Sequence, residues 1–218
     1  MTVVMIHNSM VLVEAIKEIC KREMPDAAII NIIDESLVRD IIKYGGVKPE
    51  MIRRITRYAL SAQDLGADAV VMTCSSLGET VALYTPMLNI KSFRIDEPMA
   101  VYAVKNFSRI GLIGTLPSVI GPSTRMLEEQ AALHNKTISV ESTVCSQAFI
   151  ELMAGNRDLH DQMLKDAVCE LARNNDVIVM AQGSMAKIAP EIEKMIGKPV
   201  LTCMEIGIRC IAEQLKQI

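Results

Sequence analysis

The sequence predicts an α/β protein of two pseudo-symmetric lobes, each a parallel sheet flanked by helices. Three observations carry this prediction. Short β-branched runs alternate with longer stretches of helical spacing. The short β-branched runs read as buried parallel strands. A pattern of eleven residues also recurs 108 positions later.

In chain order, the predicted strands are 2–6, 27–33, 69–73, 109–113, 137–141, 176–180 and 199–202, with the more polar KSFRI at 91–95 as a further candidate. The opening MTVVMIHNSMVLV lacks a basic start and runs into Glu14, so it reads as strand then helix and not as a secretion signal. Within 49–65, Ile52, Ile55, Tyr58/Ala59, Ala62 and Leu65 form one helical stripe; within 158–173, Leu159, Met163, Ala167/Val168 and Leu171 form another.

The repeat sets DAVVMTCSSLG at 68–78 against DVIVMAQGSMA at 176–186. Asp68/Asp176, Val71/Val179, Met72/Met180 and Ser76/Ser184 are identical. The same offset sets Phe93-Arg94-Ile95 on Leu201-Thr202-Cys203 and His7 on Thr115. Three strand ends in register imply two similar lobes, 1–106 and 107–218, with a helix near the C-terminus able to pack back on the first.

Composition narrows the function classes. Of 218 residues, 23 are Lys or Arg and 26 Asp or Glu, giving a formal charge of −3, with 3% aromatics and no Trp. That balance argues against nucleic acid, which calls for clustered cations and stacking aromatics. No apolar run approaches the ~18–20 residues that span a bilayer. The six cysteines, Cys20, Cys74, Cys145, Cys169, Cys203 and Cys210, show neither zinc spacing nor a disulfide framework. They read as reduced thiols of a cytoplasmic protein, and no metal site is expected. Gly111-Leu112-Ile113-Gly114-Thr115 lacks the spacing of a nucleotide loop.

Open α/β sheets bind ligands beyond the carboxyl ends of their strands, where helix N-termini present N–H groups. Four hydroxyl- or amide-rich segments follow strands: His7-Asn8, Thr73-Cys74-Ser75-Ser76, Thr115-Leu116-Pro117-Ser118 and Gln182-Gly183-Ser184. Facing lobes would enclose a small anion among them. Ser76-Leu77-Gly78-Glu79 fits a capping box, which predicts a helix beginning there and a Cys74 thiol with lowered pKa, usable as base or nucleophile. The other five cysteines read as packing. Asp96, Glu97 and Glu205 read as helix-start carboxylates, and Arg53, Arg54 and Arg57 as a solvated face.

VVMTCSS at 70–76, IGLIGTLPS at 110–118, VIVMAQGSMAKI at 177–188 and the opening VVMIHNS resemble, in order and spacing, the motifs of the aspartate/glutamate/hydantoin racemase superfamily. The resemblance implies two cysteines on opposite faces of a substrate, one removing and one returning the proton alpha to a carboxylate, without a cofactor. It also implies a homodimer or higher oligomer. Here Gln182 stands where the second cysteine is expected, and an amide is neither acid nor base at working pH.

Cys74 and Gln182 are therefore the candidate catalytic residues, with Gln182 hydrogen-bonding a substrate oxygen or an enediolate. His7, Asn8, Thr73, Ser75, Ser76, Thr115, Ser118, Gly183 and Ser184 are the candidate binders of a small carboxylate or hydantoin-like substrate. Three readings stay open: a racemase- or isomerase-type enzyme using Cys74, a one-cysteine decarboxylase of a malonate-like acid, and a non-catalytic carboxylate-binding protein.

Overall fold

The computed structural model describes residues 1–217. The chain begins with β1 (Thr2–His7), α1 (Val13–Glu23), β2 (Ala28–Ile33), α2 (Ser36–Tyr44) and α3 (Pro49–Asp64). It continues through β3 (Ala69–Met72), α4 (Thr80–Tyr84), β4 (Lys91–Arg94) and α5 (Glu97–Asn106). The same alternation follows in β5 (Arg109–Gly114), α6 (Pro117–Leu133), β6 (Ser139–Val144), α7 (Ser146–Met153) and α8 (Arg157–Leu171). Last come β7 (Val177–Met180), α9 (Ala189–Ile196), β8 (Val200–Thr202) and α10 (Cys203–Leu215).

Two parallel four-stranded sheets result, ordered β2-β1-β3-β4 and β6-β5-β7-β8, so the two follow one topology. The chain divides into two compact units, Met1–Glu97 with the chain from Met204 onward, and Pro98–Cys203. Among the described residues, no helix is long and apolar enough to cross a membrane.

The all-apolar strands occupy the middle of each sheet, where both faces need cover. Every residue of β3 and of β7 is buried. In the first unit, Val4, Ile6, Val70 and Met72 pack with Leu37 and Ile41 of α2 and Ile55, Ala59 and Ala62 of α3. In the second, Ile113, Ile178 and Met180 pack with Leu164, Val168 and Leu171 of α8 and Ile192 of α9. Both predicted helical stripes are real but shifted by a residue at some positions. Met51 replaces Ile52 on the buried face of α3 and Leu65 is exposed; His160 and Leu164 replace Leu159 and Met163 on that of α8.

The edge strands β2 and β6 alternate less cleanly and stay half exposed. This explains the one misplaced strand. The β-branched residues near 137–141 suggest a strand there, but pairing with β5 starts at Ser139 opposite Arg109 and runs to Val144. An edge strand tolerates Ser142, which propensity alone discounts.

The repeat has a physical basis in matched backbone contacts. Asp68 accepts the Thr2 N–H (2.7 Å) just as Asp176 accepts the Arg109 N–H (3.1 Å). Register places Phe93 and Arg94 where the second sheet has Leu201 and Thr202. For the first strand, however, the offset is 107. Thr73 N–H donates to Ile6 O where Ala181 N–H donates to Ile113 O, and Asp34 N–H donates to His7 O where Cys145 N–H donates to Gly114 O. His7 thus corresponds to Gly114, and Asn8, not His7, corresponds to Thr115.

The C-terminal helix α10 belongs to the first unit. A Cβ on Gly207 would lie 2.1 Å from the Ile95 carbonyl oxygen, so only glycine lets this helix lie against the end of β4. Glu205 pairs with Arg22 of α1 beside that contact.

Candidate active site

In the first unit, β1 and β3 end side by side and deliver His7, Asn8, Thr73, Cys74, Ser75 and Ser76 to one sheet edge. In the second, β5 and β7 do the same for Thr115, Ser118, Gln182, Gly183 and Ser184. Each predicted group is therefore brought together within its own unit.

His7 is only 1% exposed, and both ring nitrogens are occupied. Nε2 lies 2.9 Å from Asn31 Oδ1, and Nδ1 lies 3.0 Å from the Thr73 hydroxyl, which donates to the Ile6 carbonyl (3.0 Å). Burial lowers the His7 pKa, against the opposing pull of Asn31, and keeps the ring uncharged. His7 and Thr73 brace the strand ends, while Asn8, partly exposed, stands one residue further out.

Cys74 follows β3 in extended backbone and caps a 3-10 turn, Ser75–Leu77. The regular helix α4 starts only at Thr80, four residues after the Ser76 start that the capping-box pattern predicts. The turn closes through i to i+3 bonds, Leu77 N–H to Cys74 O and Gly78 N–H to Ser75 O. The thiol is also not lowered, as expected from a helix start, but pushed up to about 11. Burial is the chief cause; the N–H groups of Leu77 and Ser76 and the Ser76 hydroxyl pull the other way, and the Asp96 carboxylate adds to the rise. Cys74 is thus a protonated thiol at neutral pH, in a turn whose Ser76 and Leu77 groups favour the thiolate.

Gln182 occupies the matching place after β7, with extended backbone, capping a 3-10 turn at Gly183–Ile188. Its Oε1 accepts the Thr115 N–H (2.5 Å) and the Thr115 hydroxyl (3.0 Å). Gly114 leaves room for Val119 of α6, whose Cγ2 a Cβ there would meet at 2.5 Å. With its oxygen committed, Gln182 offers a ligand only its Nε2 donor. Ser118 sits in the first turn of α6, and Gly183 and Ser184 follow Gln182 in its turn.

Other side chains reach these edges without having been singled out as site residues. Asp34, just past β2, accepts from Tyr58 (2.9 Å) and Ser36 (2.5 Å) and pairs with Arg54 (3.1 Å). Burial raises its pKa, but the Ser36 and Tyr58 hydroxyls and the Arg54 cation together take it below the ordinary value. Arg54 also reaches Asp40, so it belongs to this network and not to a solvated face.

Cys145 also ends a strand, β6, once that strand is placed correctly, but it packs against the core beneath α8. Asp96, 4% exposed, pairs with Arg94 through two 3.1 Å bonds beside Cys74. Among the described residues, no three His, Cys, Asp or Glu side chains gather as metal ligands.

The fold has many solved counterparts. A glutamate racemase isoform from Bacillus anthracis matches with a TM-score of 0.77 at 16% identity, covering 99% of this chain and 82% of that one. The aspartate racemase of Picrophilus torridus gives 0.72 at 14% identity, covering 99% and 94%. A mutant arylmalonate decarboxylase gives 0.64 at 19% identity, covering 100% and 94%. No curated protein sequence matches the chain. The family model described as Asp/Glu/Hydantoin racemase matches residues 3–211, nearly the whole chain. With its paired sheets and the Cys74 motif in register with the Gln182 turn, the chain belongs to the Asp/Glu/hydantoin racemase family.

Proposed function

We propose that this chain is a racemase-type enzyme that moves a proton on the carbon alpha to a carboxylate or carbonyl of a small acid, without a cofactor. Cys74 is its acid/base. The observation that carries this reading is the place of Cys74 at the end of the buried strand β3, capping the 3-10 turn Ser75–Leu77, whose Ser76 and Leu77 groups favour its thiolate. Such donors stabilise a thiolate, the form a proton-transferring cysteine must pass through.

Asn8, Ser75, Ser76, Thr115, Ser118, Gly183 and Ser184 bind the substrate, and His7 and Thr73 hold the strand ends behind them. Gln182 donates from Nε2 to a carboxylate or enediolate oxygen.

A second reading, decarboxylation of a malonate-like acid, is favoured by the resting thiol being protonated while its counterpart is an amide. Loss of CO2 from such an acid leaves an enolate. Its carbon takes the Cys74 proton, and water reprotonates the thiolate. No prior abstraction is needed. The arylmalonate decarboxylase among the similar structures gives that chemistry a precedent on this fold.

Incubation in D2O with a panel of amino acids, hydantoins and substituted malonates separates the readings. Alpha-proton exchange with inversion supports racemisation, and CO2 release with one deuterium gained supports decarboxylation. Cys74→Ala is expected to reduce either by at least about a hundredfold, in line with loss of a positioned acid/base. Turnover that survives this substitution would rule out the mechanism. Tight binding without exchange or CO2 would favour a carboxylate-binding protein.

A further inference from the structure

The Arg94–Asp96 ion pair lies outside every segment of the proposed substrate site, yet it is built against the turn that serves Cys74. Register pairs Met72 of β3 with Arg94 of β4, and Ile95 N–H donates to Met72 O. Asp96 lies two residues past Arg94 as Cys74 lies two past Met72, and its carboxylate opposes the Cys74 thiolate. Asp96 is 4% exposed, and Arg94 clasps it with Nε and Nη2, both at 3.1 Å.

The guanidinium in turn covers Gly78, the residue closing the Ser75–Leu77 turn. A Cβ there would lie 2.5 Å from Arg94 Nε and Nη2. One side chain therefore touches both the turn that presents N–H groups to the sulfur and the carboxylate beside it. A plain surface ion pair needs no glycine beneath it and contributes little when exposed; this one is desolvated and braced on both sides.

We infer that Arg94 and Asp96 are positioning residues for Cys74. Arg94 holds the 3-10 turn and neutralises Asp96, and Asp96 sets how readily the neighbouring thiol gives up its proton. The inference rests on the reading of Cys74 as acid/base, but its test does not require a substrate. A carboxylate next to a thiol opposes the thiolate, and a cation clasping that carboxylate reduces the opposition. Removing one partner or the other should therefore push Cys74 in opposite directions.

The experiment is alkylation of the full chain by iodoacetamide between about pH 7 and 10, with Cys74 followed by peptide mass spectrometry and the thermal midpoint recorded alongside. Asp96→Asn keeps the shape and removes the charge, and should speed Cys74 alkylation at pH 8 by roughly two- to five-fold through a larger thiolate fraction. Arg94→Met should slow it by a similar factor. Gly78→Ala retains both charges but displaces the guanidinium, and should also slow it.

A purely structural role would shift all three variants the same way, following loosening of the turn, and that outcome overturns the inference. So does an unchanged Cys74 profile in Asp96→Asn. If Asp96→Asn fails to fold, Asp96→Ser is the second neutral variant; it too should speed alkylation, and slowing or no change in it overturns the inference. The opposite signs can hold even if no acid in the D2O panel turns over. That result would sink the proposed activity and leave this inference standing.

Discussion

Desolvation dominates the chemistry of Cys74, which is partly buried. Three donors favour its thiolate, but withdrawal from water costs that anion more, so the group rests as a neutral thiol with its pKa near 11. This has a kinetic consequence. If Cys74 first removes an alpha proton, exchange should rise about tenfold per pH unit between roughly pH 7 and 9, as the thiolate fraction grows. If it only donates a proton to an enolate formed by CO2 loss, the rate should be flat over that range. A pH–rate profile on the active acid from the panel reads the difference.

His7 leaves a signature in stability. Its folded pKa lies below the ordinary 6.5, so the unfolded chain binds the proton more readily. The stability that neutral His7 contributes is present above the unfolded pKa and is lost as pH falls through and below it. The thermal midpoint should drop between pH 7 and 5, and His7→Gln should remove that part of the slope.

At the scale of elements, strand ends and turns matter more than helices. The thiol and its amide counterpart each cap a 3-10 turn after a buried central strand, so sheet register alone sets their positions. The contact of α10 with the end of β4 is equally specific. Gly207→Ala would push a methyl into the Ile95 carbonyl, where backbone cannot yield as a flexible side chain would. A loss of about 1–3 kcal/mol is expected from such overpacking, measured by urea unfolding. Gly155→Ala is a useful contrast: a Cβ there meets nothing within 4 Å, but its φ of +85° favours glycine, so its cost reflects backbone conformation alone.

At the scale of the whole chain, one topology is written twice, and the copies differ where the chemistry lies. Asp68 and Asp176 repeat the same cap on the first strand of each unit, whereas Cys74 and Gln182 do not repeat. Gln182→Cys would restore a thiol to the second copy. Given the two-cysteine pattern that the family resemblance implies, the share of exchange that proceeds with inversion should rise above that of the unsubstituted chain, detectable by chiral chromatography. It should also lower stability by about 1–3 kcal/mol, because the Thr115 N–H loses its acceptor. Inversion that is no greater than in the unsubstituted chain would contradict this use of the repeat.

Read alone, the sequence determined the α/β class, the doubled unit, the central strands and the correspondence of Cys74 with Gln182. Those features follow from apolar runs and a local repeat, which are written in neighbouring residues. Tertiary structure decided the rest. The extent of β6 came from pairing with β5, and the burial of His7 from Asn31 on the next strand. The sequence pointed to a thiol activated by a helix start, because a capping-box pattern records only local hydrogen bonding. The resting state of Cys74 instead reflects removal from water and the carboxylate of Asp96, 22 residues away in the chain. Desolvation and long-range charge depend on what the fold packs around a group, and no spacing of residues encodes them.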